Sequence, residues 1–240
     1  MKKKLLLLTI VVLCLGTFAG ADSFTYFTSR AQQNPDDIID WGQHQNNPPN
    51  LVNTTALVSS AGLTNAALVG NLNGGQFVAS FEDCGVGWCG NFDFGENLVW
   101  TGNPNLGTGS GGPFAIRLAN PVASLGFGIQ ADFYGPFSAM VRVLDPSFNV
   151  LGAFTSQGNS FASEAGDNLF IGIGDKTAVN IGAMVISTLS PGVGPVGTND
   201  FALDALSLGD TVATPEPGTL VLLGIGLIGI AGVIHRKLGR

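Results

Sequence analysis

An all-β, jelly-roll-like antiparallel sandwich is the fold class this sequence predicts, and three observations predict it. The middle of the chain is cut into short apolar or alternating runs by Gly, Asn, Asp and Pro. Turn residues sit between the runs, and amphipathic helical spacing is scarce. Outside this region lie one apolar run near each end, both unlike a strand in length.

The first run belongs to an address. Met1 and three lysines precede an apolar stretch from Leu5 to about Ala19, followed by Ala19-Gly-Ala21. This is the three-part pattern of a secretory signal peptide, too short for a permanent span. Residues 1–21 are therefore expected to be removed by signal peptidase between Ala21 and Asp22. A lipoprotein signal through Cys14 is the alternative, but Leu13 is bulky where such signals carry Gly or Ala.

Residues 22–212 are expected to form the β-sandwich ectodomain. A turn or two of helix is predicted over Pro35–Trp41, where "NPDDIIDW" offers an Asn cap and an acidic first turn. Strands are predicted over 75–81, 97–101, 113–119, 122–130, 137–145, 149–155, 168–174, 178–188 and 200–209. In 137–145, Ala139, Val141 and Val143 share one face, with Met140, Arg142 and Leu144 on the other. Both faces are mostly apolar, which predicts a strand covered on both sides. In 200–209, Phe201, Leu203, Ala205 and Ser207 share a face opposite Asp204. "LDPSFNVLG" predicts a type I turn closing a hairpin. Segments 101–113 and 187–200 read as long loops, where binding is expected on a sandwich.

Charge and cysteines fit export. Between Asp22 and Thr214, 16 acidic residues face 4 basic ones, a formal charge near −12. Such a surface repels nucleic acid and anionic lipid, so neither is expected as a partner. Cys84 and Cys89 are expected to form a local disulfide. A zinc site would need two more ligands, and a redox motif has two intervening residues, not four.

No catalytic constellation is apparent, and the chain is expected not to be an enzyme. His44 is the lone histidine of the predicted domain, and no G-x-S-x-G elbow accompanies it. Asp83, Asp93, Glu96, Asp132 and Asp204 are the carboxylates a glycoside hydrolase could use. No cofactor and no metal site is predicted. Calcium is the alternative, through Asp93 with Glu96 or Asp200 with Asp204, although no DxDxDG loop is present. A structural role is favoured for Asp204. Trp41, Trp88, Trp100, Phe133 and Tyr134 form the pool for stacking on sugar rings, with packing the leading expectation for each.

The last segment, 213–240, contains Pro215-Glu216-Pro217, an apolar run over 219–234, and a tail with His235, Arg236, Lys237 and Arg240. As a helix the run spans about 24 Å, near the roughly 30 Å of a hydrocarbon core, with basic stems to cover the deficit. One C-terminal transmembrane helix is predicted, tail inside. Gly224-Ile-Gly-Leu-Ile-Gly229 also spells the dinucleotide-binding GxGxxG, but no βαβ unit surrounds it and no acidic residue follows.

Pro-Glu-Pro, apolar run and basic tail, in that order, resemble the PEP-CTERM sorting domain of Gram-negative bacteria. The resemblance implies processing near the motif by an exosortase, after transient membrane anchoring. Members of that family are often found in bacteria that make exopolysaccharide and biofilm matrix. The order of runs from 36 to 209 is similar to jelly-roll, galactose-binding-like domains. Three functions stay open: a non-catalytic surface or matrix protein, a carbohydrate-binding module for exopolysaccharide, and a secreted hydrolase. All three share export across the inner membrane to the outer surface or the medium.

Overall fold

The structure, a computed structural model, describes residues 24–44, 49–103, 108–163, 166–190 and 199–210. The signal segment, the Ala21/Asp22 junction, Pro215–Pro217, the apolar run and the tail with Arg236, Lys237 and Arg240 lie outside these residues. Among the described residues, no helix is long and apolar enough to cross a membrane.

The first half of the chain supplies short strands: β1 (Phe24–Phe27), β2 (Asp37–Ile39), β3 (Asn50–Asn53), β4 (Ala56–Ser59), β5 (Ala66–Asn71), β6 (Gln76–Phe81), β7 (Asn97–Trp100), β8 (Gly102–Asn103) and β9 (Thr108–Gly109). Longer ones follow: β10 (Phe114–Val122), β11 (Ser124–Ala131), β12 (Gly135–Leu144), β13 (Val150–Ser160), β14 (Leu169–Asp175) and β15 (Ile181–Leu189), then β16 (Phe201–Leu203) and β17 (Leu206–Gly209). They pair antiparallel into two main sheets. One has nine strands, in the order β1-β14-β11-β16-β7-β6-β3, with β17 also paired to β11 and β2 paired to β17. The other has six, in the order β13-β12-β15-β10-β5-β4. β8 and β9 form a separate two-stranded ladder inside the segment read from sequence as a plain loop.

The core lies between the sheets. Phe127, Ile129 and Leu125 of β11 meet Val141 and Val143 of β12 and Ile186 of β15, all nearly solvent-free. This alternation, apolar inward at every second residue, is what made the later strands readable. The β12–β13 hairpin closes through the predicted turn, with Phe148 N–H donating to the Asp145 carbonyl at 2.9 Å.

Three expectations need correction. Residues 35–40 are not helical, and Trp41 only opens a single 3-10 turn, Trp41–His44: Ile39 and Trp41 are both buried, and β2 places Ile39 in the core. The helix, α1, is Arg30–Gln33 instead; Ser29 is its N-cap, and Asn34 adopts the left-handed conformation as its C-cap. The alternation over 200–209 slips at Asp204-Ala205, so Leu206 and Leu208 return to the core while Ser207 faces outward. Finally, β12 is uncovered on its outer side at Met140, 41% exposed, and at Arg142, while Leu144 further along is buried.

Candidate functional site

The outer face of the nine-stranded sheet carries most of the buried polar chemistry. Ser207 and Ser124, which point outward there, bond Gln33 of α1 and so hold the helix on the sheet. Next to it the slip in the last strand exposes backbone groups that need partners. Asp204 supplies them: Gly128 N–H donates to its carboxylate, and Trp41 Nε1–H donates to its carbonyl at 2.5 Å. Arg30 closes the arrangement, 3.0 Å from the Asp204 carboxylate and 2.8 Å from the Ala205 carbonyl. A Cβ on Gly128 would lie 2.5 Å from both Asn168 Oδ1 and Asp204 Oδ2, so a larger residue there must displace both side chains.

Burial pushes the Asp204 carboxyl up to about 6, against the pull of Arg30. Burial, then the Asp204 charge, pushes Glu96 up to about 7. A second acid pair sits where β11 ends and β16 begins. Burial and the neighbouring Asp132 raise Asp200 to about 7, against hydrogen bonds from Thr101 and Trp100, and burial raises Asp132 to about 6. Of the calcium pairs expected from sequence, Asp200 and Asp204 belong to separate clusters. Each partners an acid distant in sequence: Asp132 for the first and Glu96 for the second. Among the described residues, no group of three or more His, Cys, Asp and Glu is arranged to hold a metal ion.

The loop after β6 covers the rest of this face. Cys84 and Cys89 form the expected disulfide, with Cα atoms 4.2 Å apart. Gln130 of β11 fixes the loop by accepting from Trp88 Nε1–H at 3.1 Å and from Asn91 N–H at 2.7 Å. Trp88, Phe92, Leu98 and Ala202 make a small second core beneath it. The sugar-stacking pool is thereby spent on structure. Trp41 and Trp88 are buried, Trp100 donates to Asp200 at 3.0 Å, and Phe133 is half-buried. Tyr134 alone is exposed, its hydroxyl on the Cys89 carbonyl. His44 packs edge-on against Phe77, and its Nε2 finds no hydrogen-bond partner, so no triad is assembled through that nitrogen.

Sequence reasoning missed two surfaces. One is a cleft of about 410 Å³ beside β1 and β14, lined by Tyr26, Phe161 and Phe170 together with Asn159, Asp167 and Asn168. Its residues come from 26–28 and from 156–172, far apart in sequence, so no local pattern announces it. The other is the outer face of the six-stranded sheet, with a groove of about 260 Å³ between Leu68, Leu72, Arg117 and Phe148. Its signal was present in the sequence, in strands that hold arginine but no acid.

Residues 213–237 match the family model of the PEP-CTERM protein-sorting motif. No curated protein matches the chain. Among solved structures, a DUF4465 family protein from Bacteroides caccae is similar at 10% identity and TM-score 0.37, over 80% of this chain and 96% of that one. A DUF4465 family protein from Bacteroides ovatus is similar at 14% identity and TM-score 0.29, over 78% and 99%. A CBM22-2 xylan-binding domain from Paenibacillus barcinonensis is similar at 11% identity and TM-score 0.25, over 72% and 98%. Behind its two-sheet sandwich, this chain carries a PEP-CTERM protein-sorting motif.

Proposed function

We propose that the protein is an exported, non-catalytic surface or matrix protein, handed to an exosortase through Pro215-Glu216-Pro217. The observation that carries this reading is the motif match beginning at residue 213, four residues after the last strand ends at Gly209. Each proline lacks an N–H and fixes φ, and a residue before proline avoids the helical region, so the motif favours an extended, protease-accessible backbone. The signal peptide over 1–21 starts export, the run 219–234 anchors the chain transiently, and the jelly-roll-type domain is what is delivered. Replacing residues 215–217 by alanine in the native host tests this. A longer mature mass and retention at the membrane are expected; an unchanged mass and unchanged release refute it.

A second reading is carbohydrate binding, favoured by the cleft at Tyr26 and Phe161. Sugar rings need apolar faces to stack on and polar side chains for their hydroxyls, and the cleft has both: Tyr26 is 54% exposed, near Asn159, Asp167 and Asn168. Binding of the exported protein on a glycan array, lost in Tyr26→Ala, supports it; no binding at high micromolar protein sinks it.

A further inference from the structure

The six strands of the smaller sheet contain no Asp, Glu, Lys or His, and their only charges are Arg117 and Arg142. This is unexpected in a domain whose formal charge is near −12. Register places both arginines on the outer face, one on each side of β15. Arg117 stands opposite Ala183, and Arg142 opposite Val185. The outward neighbours of Arg117 are apolar, with Leu57 and Leu68 beside it and Ala115 across from Val185, whereas Met140, next along β12 from Arg142, stands between Thr155 and Ser187. Leu57 is 60% exposed and Phe148 is 53% exposed. Phe148 tops the hairpin turn with the Arg117 guanidinium 5.0 Å from its ring centre. The nearest acid in this hairpin, Asp145, spends its carboxylate on Ser147 and Asn149 of its own turn. Leu144 and Ala183 are buried at the Phe148 end of this face; no described segment covers Leu57, Leu68, Met140 or Arg142.

The chain leaves the domain at the same end as Phe148. Gly209 accepts from Ala123 N–H at 2.8 Å, directly after β10. The end of β10 pairs with Ile181, and the next residue, Gly182, abuts the Pro146 backbone of the hairpin turn. Nine residues, 210–218, then separate the domain from the apolar run, a reach of at most about 30 Å. A domain tethered that closely to an anchor has one of its faces next to the lipid headgroups.

We propose that the outer face of the six-stranded sheet lies on an anionic phospholipid bilayer while the chain is anchored. Leu57, Leu68 and Phe148 enter the interface, and Arg117 and Arg142 meet the headgroup phosphates. The repulsion expected from the acidic domain as a whole is confined to its other surfaces. The proposal rests on the anchoring reading above. A second copy using the same face would oppose arginine to arginine with no carboxylate between.

Methionine oxidation tests it on the full anchored chain in nanodiscs, using peroxide and peptide mass spectrometry. Met140 lies on the face and Met184 is buried, so Met184 reports that the fold is intact. Met140 oxidation is expected to be roughly tenfold slower in phosphatidylglycerol discs than in phosphatidylcholine discs. The difference should vanish in Arg117→Gln/Arg142→Gln and shrink in Phe148→Ser. Equal rates in the two lipids, with the chain retained in the discs, overturn the proposal and leave anchoring intact. A chain that does not stay in discs overturns both. Protection that instead grows with protein concentration in detergent assigns the face to a second copy, and protection only by a soluble acidic polysaccharide assigns it to sugar; either result also overturns it.

Discussion

The outer face of the nine-stranded sheet is roofed by α1 and the disulfide loop, whereas the outer face of the six-stranded sheet carries no roof among the described residues. Under the roof, carboxylates and backbone groups satisfy one another at the strand slip around Asp204. On the bare face two arginines stand among exposed aliphatic side chains, with no acid in the strands. The difference is one of satisfaction. A buried polar group must find its partner inside the protein, while an exposed apolar patch is left for something outside it.

The sharpest way to break this contrast is Asp204→Ala. It strands Arg30 and the Gly128 N–H, and should cost about 3 kcal/mol in denaturant unfolding. Loss of under 1 kcal/mol would mean that Asp204 does not pin the slip. Gly128→Ala forces Asp204 and Asn168 apart and should cost about 2 kcal/mol by the same measurement. Removing the Cys84–Cys89 bond by serine substitution should cost about 2 kcal/mol, the value expected for so short a loop. The change should appear in near-ultraviolet circular dichroism, because Trp88 sits in that loop. The smallest effect is predicted on the bare face: Leu68→Ser should shift stability by less than about 0.5 kcal/mol, whereas its inward neighbour Val69→Ala should cost about 2 kcal/mol.

Acidity separates the faces in another way. Glu96 and Asp200 near 7, and Asp132 and Asp204 near 6, bind protons more tightly in the folded state than in the unfolded one. Their contribution is complete below the unfolded carboxyl range and is lost as pH rises through 6 and 7. Asp37 runs the other way. Although burial opposes it, hydrogen bonds led by the Thr64 hydroxyl hold it near 2, so its contribution is lost as pH falls below about 4. Stability should therefore peak near pH 4 to 5 and decline toward pH 8. Hydrogen exchange across that range should respond around β11, β16 and β7, while β5, β10 and β12 should stay comparatively indifferent. Uniform behaviour of the two sheets would remove the distinction.

Much of this architecture was legible because the later strands obey a two-residue period against one core. β10 to β15 follow it for up to eleven residues each. β1 to β5 were not legible; they are short, and strands such as "NLVN" and "DII" carry too few alternations to stand out. Ile39 and Trp41 show why 35–41 misled: their capping residues suit a helix, but core burial of both side chains outweighs local propensity. The disulfide followed from close spacing together with the expectation of export. The Arg30–Asp204–Glu96 cluster did not, because it joins residues 66 to 174 positions apart and only a slip in alternation betrays it. Uncovered apolar residues on β12 look from sequence the same as covered ones.

The position of the final strand has a consequence for timing. β16 and β17 are the last-made strands, and they sit in the interior of the nine-stranded sheet, between β11 and the pairs formed with β7 and β2. A chain that crosses a membrane N-terminus first cannot close this sheet until residue 209 has emerged. By then only nine residues separate the sheet from the apolar run. If the run 219–234 anchors the chain as proposed, folding is completed at the membrane surface as the last step of translocation, and a processing enzyme that waits for the motif to emerge meets a domain that has only just become able to close.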